Sequence, residues 1–402
     1  MSASICPPAR PAPRRGRAGF ALTLAGLLLM MAGASAPSPF YPVLQQEIGF
    51  SSAAMTGIFA IYAGALLATL LVAGSVSDHL GRRPVLSVGF FLLAASMVGF
   101  LRADTVGALL ITRVIQGMAS GLLLSTLTAT STDLEPADRP GAAAVGNSVT
   151  PLLGLALGAL FAGAVIEDLP APRGPTFEIL AAAYAALAAL VWLPPETAPR
   201  HEGLIASLRP RIGVPQGARA AFRRGAPAIV ASWATGGLYL SLGAPIVARV
   251  FGQTDAVAQG AVVTLLSGAG ALAAFALRRQ TPRRITLTGT AALSLGTLLT
   301  LAAIASGSFA FYALSVLVAG LGFGASFYGV MRSIAPTVGA GERGELFAAL
   351  FTLSYTAFGL PALAAGIAMP QLGLTLTTYL YGAVIIVLAG GAGLARRFTT
   401  TD

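Results

Sequence analysis

The chain has 402 residues, of which 55% are hydrophobic and 10% are charged, and its formal net charge is +10. Soluble domains carry about a quarter charged residues, so this composition excludes an ordinary water-soluble fold. All 25 basic residues are arginines, and the single cysteine, Cys6, excludes an internal disulfide framework.

Long apolar runs dominate the chain. A helix of about 20 apolar residues crosses the ~30 Å hydrocarbon layer of a bilayer. Leu, Ala and Gly with scattered prolines fit helices, because strands of a membrane β-barrel would alternate over about ten residues. The sequence therefore predicts an all-α membrane protein with twelve transmembrane helices. The predicted spans are residues 19–43, 53–77, 85–103, 106–130, 142–166, 177–195, 226–249, 256–278, 284–305, 308–331, 345–369 and 374–395.

The placement of the arginines supports this topology. With a cytoplasmic N-terminus, 21 of the 25 arginines fall in cytoplasmic segments, and the outside loops hold only Arg102, Arg173 and Arg249. This bias follows the positive-inside rule. We therefore expect both termini in the cytoplasm and, from the Ala-, Gly- and Arg-rich composition, the inner or plasma membrane of a bacterium. The basic charge then needs no nucleic-acid partner.

The first span has a second interpretation. Arg14, Arg15 and Arg17 precede an apolar stretch that ends in the small residues 34–36, which is also the pattern of a secretory signal peptide. Its removal would leave eleven spans and disturb the alternation of arginines between the two sides. The segment is therefore interpreted as the first membrane helix.

The chain repeats itself in two halves. Features recur at a nearly constant offset, such as Arg82-Arg83 after span two and Arg283-Arg284 after span eight. Such recurrence is typical of transporters built from parallel repeats. The predicted divisions are an N-terminal tail (1–18), a six-helix half (19–195), a central loop (196–225), a second six-helix half (226–395) and a C-terminal tail (396–402).

The polar stretch GSVSDHLGRRPVL, residues 74–86, joins spans two and three. Gly74 lacks a side chain, which permits another helix to approach closely. Asp78, at a helix end, is able to accept hydrogen bonds from the N-terminal amides of another helix. Arg82 and Arg83 are placed to bridge carboxylates or lipid headgroups.

This stretch resembles the loop signature of the major facilitator superfamily. The resemblance extends over the whole chain, through the twelve spans, the six-plus-six division, a weaker second copy at residues 278–284, and Arg113-x-x-Gln116-Gly117. It implies two pseudo-symmetric six-helix bundles, with Asp78 meeting the start of span eleven near residues 342–345. The alternative is that these charges only fix topology. The implied gating residues are Gly74, Asp78, Gly81, Arg82, Arg83 and Asp133.

Arg113 lies within span four, where a charged side chain costs at least ~2.5 kcal/mol and by default indicates function. Gln116 adds a second polar group, and Gly117 permits close packing. A role in substrate or proton handling is favoured. The alternative is that Arg113 extends to the outer membrane interface.

Two spans carry candidate hinges. The antiporter branch of the superfamily has a Gly-Pro pair in span five, and this chain resembles it partially, because Thr150 replaces the glycine before Pro151. This partial match favours export. A proline removes one backbone hydrogen bond, so it creates either a hinge or a static kink. The candidate hinge residues are Pro151, Gly154, Gly359 and Pro361.

A further set of residues is predicted to line the substrate or proton path. The proline-rich end of span one contributes to it, because broken helices at membrane depth line protein or a cavity. For the aromatic residues of this set, packing within the protein is the alternative to a role in the path. No acid lies at the middle of a span, so Glu178 is the best titratable candidate, with Asp78 and His79 nearer the inside, and uniport stays open. The set is Tyr41, Arg113, Gln116, Asn147, Thr150, Glu178, Trp233, Tyr239, Tyr328 and Tyr355.

No nucleophile, base or metal-ligand constellation is visible, since His79 and His201 lie in different predicted loops. We therefore expect no enzymatic activity, cofactor or metal. The sequence predicts a monomeric secondary transporter that exports a small organic solute, with protons as a possible partner and the lipid bilayer as its environment. Import or uniport of a small organic acid or sugar is the alternative. A non-transporting membrane sensor is the alternative from another class.

Overall fold

The computed structural model describes residues 13–198, 202–210, 212–339 and 342–398. Cys6 and His201 lie outside this range. The described residues are almost entirely helical and contain no β-strand. The long helices are α1 (Pro13–Ser35), α2 (Ser52–Ala73), α3 (Arg82–Arg102), α4 (Val106–Asp133), α5 (Ala142–Asp168), α6 (Arg173–Leu190), α7 (Arg219–Val250), α8 (Ala256–Ala276), α9 (Pro282–Ser306), α10 (Phe309–Ile334) and, together over Arg343–Phe398, α11 and α12.

Gly373 separates α11 (343–372) from α12 (374–398). Its backbone has φ 75° and ψ 163°, a conformation that glycine adopts readily and other residues do not. The continuous segment therefore contains two helices, as the sequence predicts.

Ten helices of the described chain are long and apolar enough to cross a membrane, and the longest of them, Gly344–Arg397, comprises both α11 and α12. The sixth predicted span is α6, which is not among the ten; it is the shortest of the long helices, with 18 residues including Arg173 and Glu178. Each predicted span thus corresponds to a helix. The all-α membrane fold is confirmed.

The helices differ from the predicted bounds most clearly at two places. α1 ends at Ser35 rather than near residue 43, and after a turn a short helix, Tyr41–Ile48, follows. Pro37 and Pro39 lack the N–H groups that would continue the helix. The second place is the start of α7, which begins at Arg219, inside the predicted central loop. An arginine-rich helical segment there precedes the apolar part of α7 and is continuous with it.

The packing of helices repeats in the two halves. In the N-terminal half, α1 packs on α5, α2 on α4, and α3 on both α4 and α6. In the C-terminal half, α7 packs on α11, α8 on α10, and α9 on both α10 and α12. Adding six to each helix number converts one set into the other. The two bundles are therefore pseudo-symmetric.

Among the described residues, the halves meet mainly through α5 with α8 and α2 with α11, and α7 also touches α2. One apolar core spans this boundary, and the rings of Phe59 and Phe358 lie 4.8 Å apart across it. We call the helix ends beside the loop 74–83 the inner end, following the predicted topology, and the opposite ends the outer end. Large apolar side chains such as Phe91 and Val387 are exposed on the outward faces, as lipid contact requires.

Candidate functional site

The loop between α2 and α3 brings three of the predicted gating residues together. Nη1 of Arg82 lies 2.5 Å from Oδ1 of Asp78, and its Nε lies 3.3 Å from Oδ2 of Asp133 on α4. Gly81 has φ 95°, which ends the short helix Val76–Leu80 and turns the chain into α3. The Arg82 side chain is 12% exposed, so this charge cluster is partly sheltered from water.

Glu196 is a member of this cluster that the sequence analysis does not single out. Its carboxylate accepts hydrogen bonds from the backbone N–H groups of Arg82 at 2.7 Å and Arg83 at 3.0 Å, so it caps the N-terminus of α3. Burial alone would raise the pKa of Glu196. The N–H groups of Arg83, Arg82, Ala198 and Thr197 outweigh burial and hold this pKa below its ordinary value of 4.5. Arg83 also donates to the carbonyl of Pro194.

The predicted meeting of Asp78 with α11 is not formed among the described residues. The side chain of Asp78 bonds to Arg82, within its own half. A Cβ on Gly74 would meet the carbonyl of Leu70 in the same helix first, so no other helix of the described chain approaches Gly74 closely in this conformation. At the start of α11, Glu345 lies instead against Gly213 of the central segment.

Arg113 lies in the core of the N-terminal half, with its side chain 1% exposed. Its Nε donates to the hydroxyl of Tyr41 at 2.7 Å, and its Nη1 donates to Oε1 of Gln116 at 2.5 Å. Nε2 of Gln116 in turn donates to the carbonyl of Gly33 at 2.8 Å. We call these four residues the Arg113 network. They bind α4 to both sides of the break that follows α1.

Aromatic rings, rather than a carboxylate, surround the guanidinium of Arg113. The carbon Cζ of Arg113 lies 5.4 Å from the ring of Tyr41, 5.3 Å from Tyr62 and 5.2 Å from Phe100. Within the described chain, its hydrogen bonds reach only neutral groups. Arg113 is therefore a buried cation stabilised by cation–π contacts and hydrogen bonds rather than by an ion pair, and it does not extend to the membrane interface.

Two of the predicted path aromatics form a cluster near the boundary between the halves. Trp233 on α7 and Tyr355 on α11 lie edge to face, with ring centroids 4.8 Å apart. Phe327 and Phe358 complete the cluster, at 5.5 and 6.0 Å from Trp233. We call these four residues the aromatic cluster. Such a cluster offers ring faces and edges to an aromatic solute.

A groove of about 390 Å³ runs between α2 and α11 beside the aromatic cluster. Its wall is almost wholly aliphatic or glycine, and Ile61 and Leu360 at its rim are exposed on the outward face of the bundle. The groove therefore connects the boundary between the halves with the surface that faces lipid. It is lined by Gly57, Ala60, Ile61, Ala63, Gly64, Leu67, Tyr355, Thr356, Gly359, Leu360 and Leu363.

The family of the chain follows from comparison with known proteins. The model of the Major Facilitator Superfamily matches residues 23–360, which is most of the chain. The chain belongs to the major facilitator superfamily. Its composition and its helical fold agree with a multi-pass membrane protein, which is what membership in this superfamily implies.

Two curated relatives in the superfamily are drug-resistance proteins by name. The puromycin resistance protein pur8 of Streptomyces alboniger is 31% identical over 162 residues, which cover 40% of this chain and 32% of that protein. The multidrug resistance protein MdtL of Klebsiella pneumoniae is 32% identical over 80 residues, which cover 20% of each chain. The matches thus span a third or less of these relatives.

A solved structure in the superfamily shows the same fold. It is a bacterial homologue of the human lysosomal transporter Spinster, in an inward-facing and occupied conformation. The TM-score is 0.74 at 16% sequence identity, and the match covers 97% of this chain and 98% of that one. At this identity, the likeness shows the fold alone.

The other residues predicted to line the substrate or proton path lie apart from one another. Tyr239 is buried in the C-terminal half with its hydroxyl 2.6 Å from Oγ1 of Thr300, and Tyr328 lies beside Arg332. Asn147 accepts a hydrogen bond from Ser131, which joins α5 to α4. Glu178 is exposed on the surface of α6, away from the bundle interior. Thr150 is half-buried on α5.

The four candidate hinge residues lie in unbroken helices. Pro151 is inside α5 and Pro361 is inside α11. Gly154 lies against the backbone of Leu28, where a Cβ would collide, so it lets α5 pack closely on α1. Gly359 faces Ala63 across the boundary between the halves. Their role as hinges stays a prediction.

Among the described residues, no group of three acidic, histidine or cysteine side chains is placed to hold a metal ion.

Proposed function

We propose that this superfamily member exports small lipophilic organic solutes in exchange for protons, by alternating access between its two halves. We place it in the cytoplasmic membrane of a bacterium, with both termini in the cytoplasm, as the arginine distribution indicates. The names of its relatives, which concern puromycin and multidrug resistance, support solutes of the drug-like class.

The groove between α2 and α11 is the observation that carries the proposal. An aliphatic wall that opens on the lipid-facing surface admits an apolar solute directly from the bilayer, where such a solute is concentrated. The aromatic cluster, whose member Tyr355 lines the groove, then provides ring contacts, each worth about 0.5–1.5 kcal/mol. A hydrophilic sugar would find few polar partners along this wall.

Proton exchange is the proposed source of energy. The sequence offers two acids for it: Asp78, in the short helix after α2, is half-exposed, and Glu178, in the second turn of α6, is exposed. Protonation of either acid changes the charge at a point where the helices meet water, and not at the middle of the membrane. Exchange with another ion or with the solute itself is therefore an outcome that the experiment must separate.

A second candidate is transport of a small organic anion. Arg113 favours it, because this buried guanidinium contacts no carboxylate among the described residues. Tyr41 and Gln116 occupy its donors, however, and the side chain is 1% exposed. An anionic solute would have to displace these partners, so this candidate ranks below lipophilic export.

Purified protein in liposomes that contain a pH-sensitive dye tests the proposal. A proton gradient is imposed, and lipophilic drugs, organic acids and sugars are added one class at a time. Two glycines at which an added Cβ would meet nothing within 4 Å provide matched variants. Gly64→Leu places a side chain in the groove, and Gly107→Leu places the same side chain at the outer end of α4.

We expect proton flux with lipophilic solutes, about tenfold weaker apparent affinity in Gly64→Leu, and no change in Gly107→Leu. Solute movement without proton flux would replace proton exchange by uniport or another coupling. Flux only with organic acids would favour the second candidate. Silence with every class, in protein that remains folded, would contradict transport of these solutes and favour the sensor.

A further inference from the structure

The outer ends of α5 and α8 are joined across the two halves by one acidic side chain. Glu167, next to the last residue of α5, accepts a hydrogen bond from the backbone N–H of Ala256 at 3.1 Å. Ala256 is the first residue of α8 and is buried. The bond therefore ties the end of an N-terminal-half helix to the beginning of a C-terminal-half helix.

The position of Glu167 matches what the start of α8 needs. The first N–H groups of a helix have no partner inside it, and the helix dipole favours a negative charge there. Asp255 occupies the N-cap position of α8, but its side chain makes no capping hydrogen bond. The capping carboxylate is thus supplied from the opposite half of the molecule.

Close contacts continue this junction toward the middle of the membrane. A Cβ on Gly163 would lie 3.0 Å from the carbonyl of Ala256, and one on Gly260 would lie 2.7 Å from that of Ala159. One step further, Oγ1 of Thr264 donates to the carbonyl of Ala156 at 3.0 Å. The two helices are therefore in backbone contact over their outer halves, and Glu167 lies at the outer end of this contact.

We propose that Glu167 is a gating residue that holds the outer side of the transporter closed. The contact it makes exists only while α5 and α8 are together, so it stabilises the outward-closed state and must break when the outer side opens. This inference rests on the alternating access of the proposed function, but it is independent of which solute is carried and of how transport is energised.

Asp78 provides a counterpart at the inner end. Like Glu167, it lies near the end of an N-terminal-half helix, and its predicted partner is the start of a C-terminal-half helix, α11. In this structure, Asp78 bonds to Arg82 in its own half while Glu167 reaches across. On this proposal the two acids act in opposite states of the cycle, with Glu167 engaged in the present one.

Spin labels at the outer ends of the two helices measure the gate directly. In a Cys6→Ser background, Leu169→Cys and Thr254→Cys introduce labels at two exposed positions beside the contact. Pulsed dipolar spectroscopy in liposomes then gives the ratio of open to closed outer ends without any solute. Glu167→Ala removes the cap, and Asp255→Ala removes another carboxylate at the same helix start as a matched control.

Glu167→Ala is expected to raise the open-to-closed ratio about fivefold, and Asp255→Ala to leave it within about twofold. Glu167→Gln keeps the volume and an acceptor oxygen but loses the charge, so a smaller rise of about twofold is expected. This variant carries the test if Glu167→Ala does not fold. An unchanged ratio in the Glu167 variants, or an equal rise in Asp255→Ala, would overturn the proposal.

Discussion

The guanidinium of Arg113 and the hydroxyl of Tyr41 are hydrogen-bonded at 2.7 Å in the core of the N-terminal half. Tyr41 begins the short helix that follows the break after α1, whereas Arg113 lies on α4. The bond therefore holds the broken end of the first membrane helix in place. It also explains how a cation is retained in the core without an acidic partner, because hydrogen bonds and ring faces replace solvation.

Tyr41→Phe removes the hydroxyl from this pair and leaves guanidinium N–H groups without an acceptor. We expect the free energy of unfolding to fall by about 2 kcal/mol, since hydrogen bonds to charged groups contribute ~1.5–3 kcal/mol. Denaturant titration of the protein in mild detergent measures this change. Tyr379→Phe, a half-buried tyrosine on α12, is the control and should lie within about 0.5 kcal/mol of wild type. Equal losses in both variants would contradict the role of Tyr41.

The Arg113 network illustrates what the sequence can predict. Arg113 and Gln116 are three residues apart, so a helix places them on one face, and the structure joins them at 2.5 Å. Tyr41 is 72 residues away along the chain. Its contact depends on how the chain turns after Pro39, which no local pattern specifies. The twelve spans are predictable for the opposite reason, because each is a long local run of apolar residues.

The two acidic helix caps also escape sequence analysis. Glu196 caps α3 and Glu167 caps α8, and each carboxylate is remote in sequence from the helix that it caps. A local capping pattern is recognisable only when the cap and the helix are neighbours in the chain. Asp78 and Arg82 are four residues apart, and their contact is accordingly within reach of a local pattern.

Glu196 is expected to make stability depend on pH in the acidic range. Its pKa in the folded protein is held below 4.5 by backbone N–H groups, despite the opposing effect of burial. A depressed folded-state pKa contributes stability that is present above about pH 4.5 and is lost as the pH falls through the folded-state value.

Thermal unfolding of wild type and Glu196→Gln, compared between pH 7 and pH 3, tests this dependence. The midpoint of wild type should exceed that of the variant above pH 4.5, and the two should converge at lower pH. Glu202→Gln, an exposed acid in the central segment, should show no such convergence. A constant difference between wild type and Glu196→Gln at every pH would contradict the charged cap.

A substitution of Asp78 distinguishes a role in gating from a role in stability. Asp78 is half-exposed and pairs with Arg82 in its own half, so Asp78→Asn should change the free energy of unfolding by only about 0–1 kcal/mol. If Asp78 engages α11 in another state, the same variant should slow solute export in liposomes about tenfold, which corresponds to ~1.4 kcal/mol. Asp138→Asn, at the exposed pair with Arg17, is the control. Wild-type export in Asp78→Asn would favour the interpretation that these charges only fix topology.

Two glycines on α8 are expected to respond differently to the same methyl group. A Cβ on Gly260 would lie 2.7 Å from the backbone carbonyl of Ala159, which cannot move without separating α5 from α8. A Cβ on Gly268 would lie 3.9 Å from the side chain of Ala156, an ordinary contact. Gly260→Ala should therefore destabilise the outward-closed state by ~1–3 kcal/mol, and Gly268→Ala should not. The spin-label pair at the outer ends measures both, and equal distance distributions would contradict the close contact.

The aromatic cluster can report solute binding through its own tryptophan. The chain has two tryptophans, and Trp192 at the end of α6 is 52% exposed. Trp192→Phe therefore leaves Trp233, in contact with Tyr355, as the single emitter. We expect a lipophilic aromatic solute to change the emission of this variant in a saturable manner, because it enters the groove beside these rings.

Truncation of Tyr355 tests whether the solute binds at these rings. In the Trp192→Phe background, Tyr355→Ala should weaken binding about tenfold through the loss of aromatic contact. Tyr328→Ala, which removes a ring on α10 near Arg332, should leave the affinity unchanged. Because both variants lose the same side chain from the same half, a difference between them locates the solute. Equal affinities would place binding elsewhere, and stronger loss in Tyr328→Ala would move the site to the inner end of α10.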